Sequence, residues 1–346
     1  MSEIRVESFS PGEKPIEGFF ELPQRVEGLN ENQAVAEQAG TRALLDPDNT
    51  SFRTADARSF VALRGETAVG RLTAYHNRIL PQERLRYGLI GLFACENDPV
   101  PARALVGQAS EWLRERDLEA IRGPMAGDIW HRWRFMTRGF DTAPFPGEPR
   151  QPEYYPGLFT ACGFAPVRTY STKLITDLEA QLKLLSMASA LNAKRGYTFR
   201  NISEANWEED LGYVYELCRH SFATTWSVSE STYEEFFDIY NRWLRRVGSD
   251  GIILACDSEG SVVGLGLAIV APEDTLNIRT VAVLPYVGGF GLGQAIVAEH
   301  YRRAIAAGLK RVHHCLMGPN TPPQFWDHGL GHVTREYTMY ERGIGG

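Results

Sequence analysis

Residues 281–295 read V-A-V-L-P-Y-V-G-G-F-G-L-G-Q-A. The opening apolar run stops at Pro285, which predicts the end of a strand. Val297, Tyr301, Ala304 and Ile305 follow at helical spacing, and Gly308 closes that run. Glycines at 288, 289, 291 and 293 therefore lie where a strand becomes a helix. Backbone free of side chains admits an anion, and exposed N–H groups at the positive end of a helix hold a phosphate. The plainer alternative is a glycine turn with no ligand. A dinucleotide fingerprint starting at Gly289 or Gly291 requires glycine where Gln294 or Ile296 stands. A Walker loop requires Lys and then Ser or Thr where Gln294 and Ala295 stand.

Reading outward, the runs 252–256 and 261–270, joined by D-S-E-G, predict a hairpin, and 276–284 the next strand. Beyond the helix come a strand at 311–317, a short helix near 323–328 and a last strand at 335–341. The N-terminal half repeats this order. It has a hairpin over 60–75, a strand at 88–94, a helix carrying Leu105, Ala109, Trp112 and Leu113, a strand from Leu118, and a helix-to-glycine exit at 158–164. The expectation is an α/β protein of two tandem units, each a twisted mixed β-sheet flanked by helices. Its parts are an N-terminal domain at 1–176, a linker helix at 177–195 and a C-terminal domain at 196–346. An extra stretch in the first copy, 125–155, holds Trp130, His131, Trp133 and Arg134. It is expected to pack between the copies, with an acceptor wall as the alternative.

The 346 residues carry 36 Lys+Arg against 43 Asp+Glu, a net charge of −7. That balance argues against a general nucleic-acid or anionic-membrane binder, which needs a positive field. No apolar run approaches the ~20 residues of a membrane span, and the start lacks a signal-peptide core, so a cytoplasmic setting is expected. Five scattered cysteines form no disulfide framework. No metal site is expected: His328 and His332 flank two glycines that break the helix their spacing presumes.

The strand, Pro285, glycine loop, helix and following strand resemble the GCN5-related N-acetyltransferases (GNAT) over about residues 196–343. The doubled arrangement resembles two-copy members of that superfamily. The resemblance implies acyl transfer from acetyl-CoA to a small-molecule or peptide amine. It places the pantetheine arm along Val281 and Val283, and the pyrophosphate on Gly288, Gly289, Phe290, Gly291, Leu292, Gly293 and Gln294. Asn320 falls where the family contacts the cofactor arm. The basic or amide residue that opens the family's loop is Gly288 here. The family's tyrosine acid is absent from Q-F-W-D-H-G-L-G-H (324–332), where Phe325 or Asp327 takes its place. Asp327 and His314 are the candidate catalytic groups, with His313 on the opposite face of its strand. A non-catalytic acyl-CoA sensor and an aminosugar-thiol acetyltransferase similar to mycothiol synthase are the alternative readings. In the first copy the matching turn, 94–102, has no glycine. It carries Glu96, Asp98, Pro99 and Pro101, so that copy is expected not to bind CoA.

Overall fold

The computed structural model describes residues 3–81, 84–223, 226–227 and 229–345. The first half runs β1 (Ile4–Phe9), α1 (Leu22–Val26), α2 (Glu31–Leu44), β2 (Ala55–Arg64), β3 (Thr67–Asn77), β4 (Tyr87–Cys95), α3 (Pro99–Arg114), β5 (Ala120–Gly123), β6 (Phe135–Arg138), α4 (Tyr155–Ala161) and β7 (Ala165–Ile175). Helix α5 (Leu178–Lys194) leads into the second half. That half runs β8 (Thr198–Asn201), α6 (Trp207–Phe222), α7 (Tyr233–Val247), β9 (Ile252–Cys256), β10 (Val262–Ala271), β11 (Thr275–Val283), α8 (Leu292–Ala306), β12 (Arg311–Met317) and β13 (His332–Gly343). Local chemistry sets several ends. Asn30 with Gln33, and Thr232 with Glu235, form capping boxes at the starts of α2 and α7.

Among the described residues thirteen strands form one sheet, in the order β1-β2-β3-β4-β5-β13-β7-β12-β11-β10-β9-β8, with β6 pairing β13 to the side. One face carries α1, α2, the 124–150 insertion, α6 and α7. The other carries α3 and α4 over the first half, and α5 packed on α8 over the second.

The centre of the sheet is an exchange of strands. The last strand of the chain, β13, pairs antiparallel with β5 of the first half, Tyr340–Gly343 opposite Gly123–Ala120. The last strand of the first half, β7, pairs antiparallel with β12 of the second. The two exchanged strands then pair with each other from His332–Leu174 to Glu341–Ala165. Each half thus completes its sheet with the other's final strand. In β7, Tyr170 and Thr172 point to the insertion face beside Tyr337 and Arg335, while Lys173 points to the opposite face.

A half expressed alone leaves the edge of β5 or β12 unpaired, with the hydrophobic surface of its neighbours open. Fragments 1–176 and 177–346 are expected to aggregate or remain unfolded separately and to associate when co-expressed. A cooperative thermal melt from either fragment alone overturns this.

Candidate active site

Strands β11 and β12 run parallel but pair only from Thr275–Arg311 to Ile278–His314. Beyond that point they part. Arg279 to Val283 continue along one side of the gap, and Cys315 to Met317 along the other. Val281 and Val283 are half-buried along this edge. The gap opens toward the start of α8. A single 3-10 turn over Pro285–Val287 leads to Gly288, then Gly289 at φ 81° and Gly291 at φ 78°, the N-cap of the helix. No side chain caps this N-terminus. Helix-start N–H groups left this way form an anion-binding end.

The glycines also have reasons within the fold. A side chain at Gly293 would put its Cβ 2.7 Å from the Trp326 ring. At Gly291 it would meet Ala188 of α5 at 3.2 Å with φ already left-handed. Helix α5 braces the loop: Asn192 Nδ2 donates to the Phe290 carbonyl at 3.1 Å, and the Arg195 guanidinium lies 4.6 Å from the Phe290 ring. Arg195 brings a positive charge to a loop that opens on Gly288 rather than on a basic residue. Sequence spacing could not point to it, because it lies almost a hundred residues upstream. Asn320 is exposed, in the turn after β12, with φ 58°, a conformation asparagine tolerates well.

His314 is buried against α8, its Nε2 3.0 Å from the Tyr301 hydroxyl. Asp327 is buried too. It pairs with Lys173 at 2.9 Å and accepts from the Gly331 N–H at 3.1 Å. Both are engaged on the helix face, away from the insertion. Phe325 is exposed and has no proton to give. His313 lies on the other face of β12, its Nδ1 2.9 Å from Asn277 Oδ1. Burial pushes His313 and His314 down to about 4 and His300 of α8 down to about 3.

The insertion crosses to the second half on the His313 face. Trp130 packs edge-on against Phe236 and Tyr240 of α7, and its indole N–H donates to the Ser229 carbonyl at 3.1 Å. Further on, Arg279 donates to the Pro146 carbonyl at 2.9 Å. Glu148 is fully buried, with Arg335 Nη1 2.9 Å from each carboxylate oxygen and the Tyr337 hydroxyl donating to it. This network pins residues 145–148 over β11, β12 and β13.

Among the described residues the first half shows no such opening. The Met125 N–H donates to the Ile90 carbonyl at 2.7 Å, and a Cβ at Gly91 would sit 2.6 Å from the Met125 carbonyl and the Ala126 backbone. The chain itself fills the gap between β4 and β5. At the start of α3, Asp98 caps the Val100 N–H at 2.9 Å, and Arg64 pairs with both Glu96 and Asp98.

Residues 212–324 match the model of the acetyltransferase (GNAT) family. A bacterial ceramide synthase of Caulobacter vibrioides is 23% identical over 274 residues, 78% of this chain and 71% of that protein. The tandem GNAT protein of the clavulanic acid biosynthesis pathway superposes with a TM-score of 0.56 at 13% identity, covering 99% of both chains. The GCN5-related glucosamine N-acetyltransferase region of a fungal multi-domain GH3 β-N-acetylglucosaminidase gives a TM-score of 0.57 at 13% identity. There 99% of this chain covers only 38% of that protein. The C-terminal half carries a GNAT domain, and the chain has the fold of the tandem GNAT proteins. By class it is an acyltransferase.

The buried histidines fix a direction for acid stability. Unfolded, each takes a proton near pH 6.5, whereas folded His300, His313 and His314 take none until about 3 or 4. The unfolded state therefore holds more protons between pH 6.5 and 4, and stability falls as pH falls, by at most ~1.4 kcal/mol per unit per histidine. Glu27, pushed up to about 7 by burial, acts oppositely between 4.5 and 7 and offsets one of the three. Stability is expected to drop by about 1–3 kcal/mol from pH 6 to pH 5. Urea midpoints at the two pH values measure it, and an equal or higher midpoint at pH 5 rejects the assignment.

Proposed function

We propose that this protein is a cytoplasmic N-acyltransferase that moves the acyl group of an acyl-CoA, acetyl-CoA in the first instance, to a small-molecule or peptide amine. The C-terminal half holds the thioester. The observation that carries the reading is the parting of β11 and β12 directly beside the uncapped N-terminus of α8. The arm of the cofactor would lie along Val281 and Val283, where β11 has left β12 and where the Val283 carbonyl also accepts from Ser221 Oγ at 2.9 Å. The backbone from Gly288 to Gln294 would hold its pyrophosphate, with Arg195 close by, and Asn320 would contact the arm. When bound, the cofactor supplies an activated acyl carbon. The amine nitrogen forms a C–N bond to that carbon and the C–S bond breaks. The sulfur leaves as a thiolate, which takes up the proton that the nitrogen releases. Alignment of amine and carbonyl supplies much of the rate.

We read the N-terminal half as a scaffold without CoA. Its gap is filled by Met125 and Ala126, and its helix start by the carboxylate of Asp98. A longer acyl donor is the second reading. It is favoured by the likeness to a ceramide synthase and by the half-buried Trp133, Phe140, Trp226 and Leu316 on the insertion face.

Calorimetry with acetyl-CoA tests the site. A residue at 289 meets nothing within 4 Å, and Asp or Asn accepts its φ of 81° better than other side chains do. Gly289→Asp sets a negative charge beside the pyrophosphate and is expected to weaken binding at least about tenfold, or ~1.4 kcal/mol, while Gly289→Asn stays within about threefold. One CoA is expected per chain. Unchanged affinity in Gly289→Asp, or two sites per chain, contradicts the reading. Palmitoyl-CoA in place of acetyl-CoA separates the two donors.

A further inference from the structure

Three arginines on the insertion face meet no carboxylate among the described residues: Arg134, Arg168 and Arg279. Their neighbours are paired, Arg122 with Glu341 and Arg335 with Glu148. Arg134 stands just before β6, its guanidinium 3.8 Å from the Trp133 ring and 4.6 Å from Tyr170. Its Nε and Nη1 are shut from solvent and have no acceptor. The Nε of Arg168 is in the same condition, and the Tyr170 hydroxyl, which can accept as well as donate, lies beside Arg168. Arg168 faces Trp226 at 5.7 Å, and Trp133 packs edge-on against Tyr170 at 5.1 Å. Three guanidinium nitrogens, Arg134 Nε and Nη1 and Arg168 Nε, therefore lie among these rings with no carboxylate among the described residues to receive their hydrogens. Stacking on rings compensates a cation's charge in part but satisfies no N–H. Burial, with Arg279 nearby, pushes Arg134 down to about 10.

This cluster borders the gap where the thioester is placed. Arg279 is the first residue of β11 after the last pair, Ile278–His314. Leu316, on the other strand past the gap, joins the same apolar cluster as Trp133 and Trp226. The Tyr170 ring lies where a Cβ on Gly318, just past the end of β12, would meet it at 3.5 Å.

We propose that the acceptor amine carries an oxyanion, a carboxylate or a phosphate ester, which Arg134 and Arg168 bind between Trp133, Tyr170 and Trp226. The inference rests on the reading of the chain as an N-acyltransferase and adds the class of its acceptor. Each guanidinium N–H without an acceptor can donate a charge-assisted hydrogen bond to an oxygen of an oxyanion. The same arginines favour the reactive form of the acceptor. Positive charge beside an ammonium lowers its pKa, and only the neutral amine attacks the thioester. Matched neutral amines lack the anchor and leave the buried donors unsatisfied, which is how a polar site rejects an analogue most strongly.

The test compares acceptors that differ only in the oxyanion: leucine against its decarboxylated amine, and a long-chain amino alcohol with and without a phosphate ester. Thiol release from acetyl-CoA and from palmitoyl-CoA gives kcat/KM for each. In the intact protein at least one anionic member is expected to exceed its neutral partner by about fiftyfold or more, and the pair that does so tells carboxylate from phosphate. Arg134→Met keeps the stem against the rings and is expected to bring that ratio below about three, with Arg134→Lys intermediate. If Arg134→Met does not fold, Arg168→Met carries the same comparison. Quenching of tryptophan fluorescence by the anionic compounds without thioester reads binding separately. Equal rates within both pairs in the intact protein, or a ratio that survives Arg134→Met, overturns the proposal. Anion-dependent quenching lost in Arg134→Met, with no amine acylated, leaves the oxyanion site standing and rejects acyl transfer instead.

Discussion

The antiparallel ladder between β7 and β13 is the constraint on which the rest of the structure depends. It joins two strands that each finish the other half's sheet, so one continuous set of backbone hydrogen bonds spans both copies. Lys173 on one face of this ladder holds Asp327, and with it the turn that sets Trp326 over Gly293 at the start of α8. Thr172, Arg335 and Tyr337 on the other face hold Leu316 and Glu148. The glycine loop at the start of α8 and the arginine and aromatic cluster on the insertion face are thus positioned from the two sides of the same pair of strands.

The first copy also reaches across to the second. The gap between β4 and β5 is closed by its own chain, and that chain continues as the insertion that reaches the second half. Burial of Glu148 with Arg335 shows how firmly the insertion is fixed, since a carboxylate without solvent persists only when its oxygens are occupied. Against that background the unoccupied donors of Arg134 and Arg168 stand out.

The catalytic groups picked out by sequence position illustrate a limit of one-dimensional reading. His314 and Asp327 lie near the expected place along the chain, yet their side chains serve Tyr301 and Lys173. Alternation along β12 put His313 and His314 on opposite faces, as the sequence required. Which face met helix and which met insertion was a matter of packing.

The sequence alone determined the α/β character, the doubled order of elements, the helix at 178–194 and the glycine loop between β11 and α8. Each of these rests on local physics: apolar periodicity, turn residues and the backbone freedom of glycine. The turn at 94–102, with prolines and acids and no glycine, is likewise visible without coordinates. The exchange of β7 and β13 was not legible. A strand such as A-P-V-R-T-Y-S-T-K-L-I, with polar residues on both faces, shows neither that it is central nor which edge it completes. Arg195 beside the loop, Met125 in the first gap and Arg134 beneath Trp133 were equally hidden, since each acts on residues far from it in the chain. Only the closing of the sheet brought them to the sites they serve.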